Sequence, residues 1–434
     1  MANRSVLFSV LVLFGINILN FYDRNLAGAL VEPMRKEFGL SDTDIGLMGS
    51  VFIWIYAIIG VPLGMVADRW SRKKLMLIGL VVWTGMTALG GMATSFMFLL
   101  FVRMGVGVGE AVCAPAATSW LGDLYPPHQR SRVLALFMLG VPVGGALTYF
   151  FSGPIAQAWG WRTAMVVAAL PVLILAPALA MLVEPERGAM EPVRQKGGEV
   201  SVWKLLRIPT LWWIIASGVF VNFNMYAIGV FLPPLLSRVH KMTLAESGLG
   251  TGIAYLVGGV CGGLLAGYLG DRIGHKSRNG RLLLAAGLTS LGAPLAYIGI
   301  IQPVGSVGLA LTMLTLAYGT MNTYYGFVYA SIQDLVAPTQ RGLTMAIYFM
   351  AMYLCGASFG PLITGMASDR MARQAMEAAG ATQMTEAFKA AGLQQAMVII
   401  PILLVALGAV LFAASRTIAG DVERRERMAA AVGA

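Results

Sequence analysis

Charge is what this sequence has least of. Only 12% of its 434 residues are Asp, Glu, Lys or Arg, while 57% are hydrophobic. An ordinary soluble core cannot hide that much apolar surface, so most of it must face lipid. The ten-residue alternation of a transmembrane barrel is missing, which excludes barrel strands. The three cysteines, Cys113, Cys261 and Cys355, lie far apart in apolar stretches without metal-ligand spacing, and His128, His240 and His275 fall in loops or at span ends. Neither a histidine metal site nor a histidine proton relay is therefore available inside the membrane. There is no nucleophile beside a base, no Gly-x-x-x-x-Gly-Lys phosphate loop and no sizeable soluble domain, which argues against a membrane enzyme, a receptor or an ATP-driven pump.

What remains is a set of apolar runs, each near the roughly 20 residues a helix needs to cross about 30 Å of hydrocarbon. They predict spans at 5–31, 43–67, 74–93, 96–121, 132–156 and 162–183, then at 209–236, 246–270, 281–301, 305–333, 342–367 and 394–415. The expected fold is all-α and polytopic, with twelve transmembrane helices in two six-helix bundles at 1–184 and 209–416, a linker at 185–208 and a tail at 417–434. The first run carries Asn17, Asn20, Asp23 and Arg24 and lacks a small-residue cleavage site, so it reads as a retained span. On these spans 21 of the 31 Lys and Arg residues lie on the side holding both termini and eight on the other. That asymmetry predicts cytoplasmic termini in a cell membrane, the inner one in a Gram-negative cell. It also accounts for the net charge of +10 as basic loops on an anionic leaflet, without a nucleic-acid partner.

Each half carries the same punctuation. Gly64-Met-Val-Ala-Asp68-Arg69-Trp-Ser-Arg72-Lys73 is matched 203 residues later by Gly267-Tyr-Leu-Gly-Asp271-Arg272-Ile-Gly-His-Lys276, and Asp123-Leu-Tyr-Pro-Pro127-His-Gln129-Arg130 is matched 211 residues later by Asp334-Leu-Val-Ala-Pro338-Thr-Gln340-Arg341. An Asp at such a helix end caps a neighbouring helix or pairs with bases of the next turn. Asp68, Arg69, Arg72, Asp123, Arg130, Asp271, Arg272, Asp334 and Arg341 thus make up a candidate cytoplasmic gate, the competing reading being topology anchors alone.

Parallel repeats of six spans are the plan of the major facilitator superfamily. The loop between the second and third spans resembles that family's Gly-x-x-x-Asp-Arg-x-Gly-Arg-Arg, with Ser71 where Gly is usual and Gly274 keeping it in the second copy. More narrowly, Phe21-Tyr22-Asp23-Arg24 together with Arg103-Met-Gly105-Val-Gly107-Val-Gly109-Glu110 is similar to the spinster branch. The resemblance covers essentially the whole chain. It implies a proton-linked carrier of lysophospholipids or sphingoid phosphates, and a fold in which the first and fourth spans both line a central cavity.

Asp23, Arg24, Arg103 and Glu110 are the only charges well within spans. A charge at the bilayer centre costs about 2.5–3.5 kcal/mol even on lenient scales, so such residues face a cavity or a partner. Glu110 lies two helical turns from Arg103 on nearly the same face, about 10 Å deeper. A carboxyl group beside an arginine in a low-dielectric cavity is pulled toward neutrality by desolvation and toward charge by the guanidinium, so small rearrangements move a proton. Glu110 is the first choice for that proton and Asp23 the second, with Arg24 holding Asp23 ionised. Arg103 either holds Glu110 or takes an anionic headgroup in its fork. The alternative is a static ion pair fixing span one to span four.

The second half has no deep charge; its spans carry Asn222, Asn224, Tyr226, Asn322, Tyr324, Tyr325, Tyr329, Tyr348 and Tyr353 among Phe, Leu and Met. An amphipathic substrate would set its head against the first half, on Arg103 and Glu110, and its apolar body against the second, with Asn222, Tyr226 and Tyr325 as candidate contacts. Gly105, Gly107, Gly109, Gly140, Gly144 and Gly145 strip side chains from the fourth and fifth spans and suit close packing with sliding. Tyr149 stands where an antiporter motif would put Gly ahead of Gly153-Pro154, so antiport is not legible. The expectation is a proton-coupled secondary transporter, not an enzyme, working as a monomer without a cofactor other than the coupling proton. A proton-driven symporter of small organic anions is the rival.

Overall fold

A computed structural model of the chain describes residues 2–187, 189, 202–274, 277–337 and 340–433. Among the described residues every regular element is helical. The spanning helices are α1 (Ala2–Ala29), α2 (Asp42–Arg69), α3 (Arg72–Gly90), α4 (Phe96–Leu124), α5 (Arg132–Trp159) and α6 (Trp161–Met181), followed by α7 (Pro209–Arg238), α8 (Leu244–Gly270), α9 (Gly280–Ile300), α10 (Val307–Leu335), α11 (Arg341–Ala378) and α12 (Glu386–Arg427). Eleven are apolar and long enough to cross a membrane. The twelfth, α10, is diluted by its run of Thr, Tyr and Asn (Gly319-Thr-Met-Asn-Thr-Tyr-Tyr-Gly326) yet runs unbroken for 29 residues. The fold is the twelve-helix plan expected from the sequence.

Local chemistry sets the helix starts. Ser41 and Asp44 form a reciprocal capping box at α2, and Ser95 accepts from Phe98 N at the start of α4. Ser71 caps α3 through Lys74 N and also donates to Glu184 at 2.6 Å. Both roles need the hydroxyl that Gly would lack. α11 and α12 reach well past the limits drawn from hydropathy, which marks where lipid ends and not where backbone hydrogen bonding stops; the polar stretch 370–378 is built of good helix formers.

Several spans are interrupted. α4 breaks between Glu110 and Cys113, where Pro115 cannot donate to the Ala111 carbonyl. α6 breaks at Leu170-Pro171. Single π-turns sit in α8 (Ala254–Gly258) and α11 (Met352–Ala357), irregularities frequent at functional sites.

The chain forms two compact units. One comprises Met1–Gln195 with Gly229–Ser237 and Lys241–Gly252; the other comprises Lys196–Ile228, Arg238–His240 and Ile253–Ala434. Within the first, Tyr149 Oη donates to Gly229 O at 2.7 Å and Ala245 N donates to Gln157 at 2.9 Å. A Cβ on Gly28 would come within 2.7 Å of the same Gly229 oxygen. Tyr149 thus has a structural reason to interrupt the glycine pattern of α5. The linker residues 188 and 190–201, together with Pro338 and Thr339, lie outside the described residues.

Candidate functional site

The four intramembrane charges converge in the first unit, where all four are buried. Two contacts bring them together. Gly107 lets α4 approach α2 so closely that a Cβ there would meet Phe52 O at 2.9 Å. That approach lays Arg103, one turn earlier, with its guanidinium carbon 4.6 Å from the Phe52 ring centre. Arg24 faces the same ring at 5.4 Å and lies 4.4 Å from that of Tyr56 and 4.7 Å from that of Phe21. Two cations therefore share an aromatic wall, an interaction worth on the order of 1–2 kcal/mol where water is excluded.

The pairing is crossed relative to the expectation. Arg24 donates from Nε to Glu110 Oε2 at 3.2 Å, with its NH2 nitrogen at the same distance, and not to its chain neighbour Asp23. Arg103 donates to the backbone carbonyls of Asp23 and Arg24, both at 3.3 Å. Its fork grips the last turns of α1 and leaves Nε without a hydrogen bond among the described residues. Neither carboxylate oxygen of Asp23 and not Glu110 Oε1 has a hydrogen-bond partner there. Trp83 and Thr87, one turn apart on α3, stand beside Asp23, and Asn20 stands beside Glu110. Two carboxyl groups and two arginines thus lie in one buried cluster, and among the described residues only the Glu110 carboxyl of the two is ion-paired with an arginine side chain.

Phe52, Tyr56, Trp83 and Thr87 were missed by the sequence reading. Their one visible signal is i,i+4 spacing on spans facing the charged ones. The glycines singled out on α4 and α5 are close packing contacts: a Cβ on Gly109 would lie 2.8 Å from Gly79 O, and one on Gly144 would lie 2.4 Å from Ile18 O.

In the second unit the three candidate contacts come together. Tyr325 Oη donates to Asn222 Oδ1 at 3.3 Å, while Asn222 Nδ2 donates to Gly218 O at 2.9 Å and to the Met352 sulfur at 3.2 Å. Tyr226 meets Tyr353 edge to face, with ring centres 6.3 Å apart. Met352 and Tyr353 belong to the π-turn of α11. Tyr325, Tyr329 and Tyr348 extend the aromatic run, and Tyr324 Oη bridges Tyr348 and Ser217 at 2.9 and 2.7 Å. Tyr324 and Tyr348 are buried, and Tyr226, Tyr325, Tyr329 and Tyr353 are half-buried, so the rings make an aromatic wall without fixed charge.

The candidate gate resolves into one network per unit. Buried Arg72 pairs with Asp123, donates to Glu184 at 3.1 Å, to Ser119 at 3.0 Å and to Pro185 O at 2.7 Å, while Arg187 reaches Ala67 O and Trp70 O at 2.6 Å each. Glu184 also accepts from the backbone N–H groups of Arg72 and Lys73. In the second unit Asp334 pairs with Arg281, a residue the repeat did not single out, and Arg425 donates to Asp334 O at 2.6 Å. Arg130 and Arg341 bond the Tyr125 and Gln333 carbonyls at 3.1 Å each, and Arg272 bonds Tyr268 at 2.9 Å. Arg69 is exposed, and the side chains of Asp68 and Asp271 lie outside the described residues. Among the described residues no cluster of His, Cys, Asp and Glu could hold a metal, and all three cysteines are free.

The family model described as the Major Facilitator Superfamily matches residues 13–361. An MFS-type efflux pump of Mycolicibacterium smegmatis is 32% identical over 364 residues, 83% of this chain and 84% of the relative. Protein spinster homolog 1 of Homo sapiens is 28% identical over 391 residues, 84% of this chain and 73% of the relative. A crystal structure of a bacterial homolog of the human lysosomal transporter spinster, inward-facing and unoccupied, superposes with a TM-score of 0.84 at 28% identity, covering 96% of this chain and 98% of that one.

Proposed function

From the premise that the chain belongs to the Major Facilitator Superfamily, in its spinster branch, and is therefore a transporter and not an enzyme, we propose that it is a proton-coupled secondary carrier of an amphipathic, anionic, lipid-like molecule such as a lysophospholipid or sphingoid phosphate. It works by alternating access, with no cofactor beyond the coupling proton.

The observation that carries this reading is the buried Arg24–Glu110 pair at 3.2 Å beside an Asp23 carboxyl with no hydrogen bond among the described residues. Protonation of Glu110 cancels the charge that holds Arg24, and Asp23 is its adjacent alternative partner. A proton thereby becomes a change in how α1 is tied to α4. Arg103, whose Nε is unsatisfied, supplies a cation for an anionic head. The uncharged Tyr and Asn wall of the second unit suits an apolar body with few polar groups.

The excess of Lys and Arg on the side of the termini supports cytoplasmic termini, and the similarity to the efflux pump supports export. The test is uptake or release of lysophospholipids, sphingoid phosphates and small carboxylates by proteoliposomes holding the full chain, with and without a pH gradient. Transport of an amphipathic anion that follows the gradient supports the reading. Transport that ignores the gradient, or that takes only small carboxylates, overturns it.

A further inference from the structure

A second feature of the first unit lies apart from the charged cluster. A groove of about 290 Å³ runs between α1, α5 and α6, its walls including Gly15, Leu147, Phe151, Pro171 and Leu175. At Gly15 α1 and α6 close on one another, since a Cβ there would already stand 3.0 Å from Leu175 Cδ2. The groove opens beside the break in the α6 backbone at Leu170-Pro171.

Tyr22 is the one polar side chain among the lining residues, and its hydroxyl is engaged with Ser152 at 2.8 Å. The groove therefore offers no handle for a headgroup or a water-borne solute. Around its mouth the exposed residues are apolar: Phe151 is 55% exposed, Leu170 50%, Leu173 69% and Ile174 75%. On two membrane-spanning helices such a surface faces hydrocarbon. A groove that is apolar and open to hydrocarbon is filled by what the hydrocarbon supplies.

We propose that this groove is a specific binding site for one acyl chain of a bilayer phospholipid, held between α1, α5 and α6 as a resident lipid. Burying apolar surface there gains little over bulk lipid, so the selectivity is one of shape: a chain packs along the wall of α6 next to its break at Leu170-Pro171. Its position gives the site a consequence. Tyr22 forms part of the groove and directly precedes Asp23, and Thr148 of α5 donates to Tyr22 O at 2.8 Å. A chain seated in the groove thus braces the turn of α1 that presents the ion cluster. The site stands independently of the transported substrate.

The test uses the full chain in phosphatidylcholine vesicles doped with a phosphatidylcholine that bears a diazirine at mid-chain, with crosslinks mapped by proteolysis and mass spectrometry. The expected result is labelling concentrated on segments 15–22, 147–155 and 167–175, competed by unlabelled lipid. Leu147→Trp and Ile155→Trp, at two residues that line the groove, fill it with apolar bulk and should each cut that labelling at least fivefold. Ile402→Trp, at an exposed apolar residue of α12 away from the groove, should leave it unchanged. Even labelling over all lipid-facing helices, insensitivity to both filling variants, or labelling by a single-chain lysophosphatidylcholine probe but not by the diacyl probe would overturn the assignment. Proton-driven transport can fail its own test with this result intact, and the reverse also holds.

Discussion

Arg24 turns away from Asp23, its neighbour in the chain, and pairs with Glu110, 86 residues further along, at 3.2 Å. Asp23 is left with its carboxyl buried and its backbone carbonyl held by Arg103 at 3.3 Å. Each arginine therefore serves the helix junction of α1 and α4 in a different way, one through a charge that a proton can cancel and the other through a peptide oxygen that it cannot.

It follows that Glu110→Gln should abolish the pH dependence of transport in proteoliposomes while the protein still folds, because the amide keeps the shape and a hydrogen-bond acceptor for Arg24 but cannot take up the proton. Counterflow exchange without a pH gradient should survive. Proton-driven uptake that persists undiminished in this variant would remove Glu110 from the coupling role, and the same loss in Asp23→Asn alone would transfer that role to Asp23.

The pair can also be tested as a structural element. Removing one member of a buried ion pair strands the other, at a cost of about 3–5 kcal/mol, so Arg24→Ala should lower thermal stability sharply in detergent. In Arg24→Ala combined with Glu110→Gln the stranded charge is gone, and about half of the loss or more should return. Strict additivity of the two substitutions in the cycle would mean that the residues do not interact.

How much of this was legible in the sequence depends on the range of the interaction. Twelve helices follow from hydropathy because lipid imposes it residue by residue, and even α10 was placed despite its weak apolar signal. The clustering of Asp23, Arg24, Arg103 and Glu110 was legible because buried charge is too costly to scatter. Which arginine takes which carboxylate was not, since that depends on the close approach of Gly107 to Phe52 O, a contact between two helices 55 residues apart. Phe52 and Tyr56 look like lipid-facing aromatics until Arg24 is laid over them. Likewise Arg281 and Glu184 become partners of Asp334 and Arg72 only once the loops are folded, and Ser71, a departure from the family pattern, is explained by the hydroxyl that Glu184 accepts from.

Arg103 separates headgroup recognition from scaffolding. Arg103→Ala should reduce transport of anionic amphiphiles by tenfold or more while sparing neutral ones of the same chain length, if the fork's unsatisfied Nε meets the anion. Arg103→Lys should restore charge but not the two carbonyl bonds to α1. Equal loss for anionic and neutral molecules in both variants would make Arg103 a brace for α1 alone.

In the second unit Tyr325 bonds Asn222 and so helps hold it against the π-turn of α11. Tyr325→Phe removes one hydrogen bond, about 1 kcal/mol, and should leave stability nearly unchanged while raising the apparent KM severalfold. Asn222→Ala also frees the Gly218 carbonyl and should affect both. A Tyr325→Phe variant with wild-type kinetics would place the substrate elsewhere.

Glu184 gives a pH dependence that does not involve the membrane interior. Burial pushes its carboxyl up, but the hydrogen bonds from the Ser71 hydroxyl and from Arg72 and Lys73 outweigh that and hold it below the usual glutamate range. A carboxyl with a folded pKa below its unfolded value of about 4.3 contributes stability that is fully present above that value and is lost as the pH falls through the folded one. The network of Arg72, Asp123 and Glu184 should therefore loosen on acidification below about pH 4, seen as a falling melting temperature of the detergent-solubilised protein. Glu184→Gln keeps the shape but cannot bind the proton, so it should be less stable near pH 7 by about 1–3 kcal/mol and show a shallower acid slope than the parent. Parallel pH profiles for the two proteins would mean that the acid loss arises from other carboxylates and that Glu184 is only a helix cap for α3.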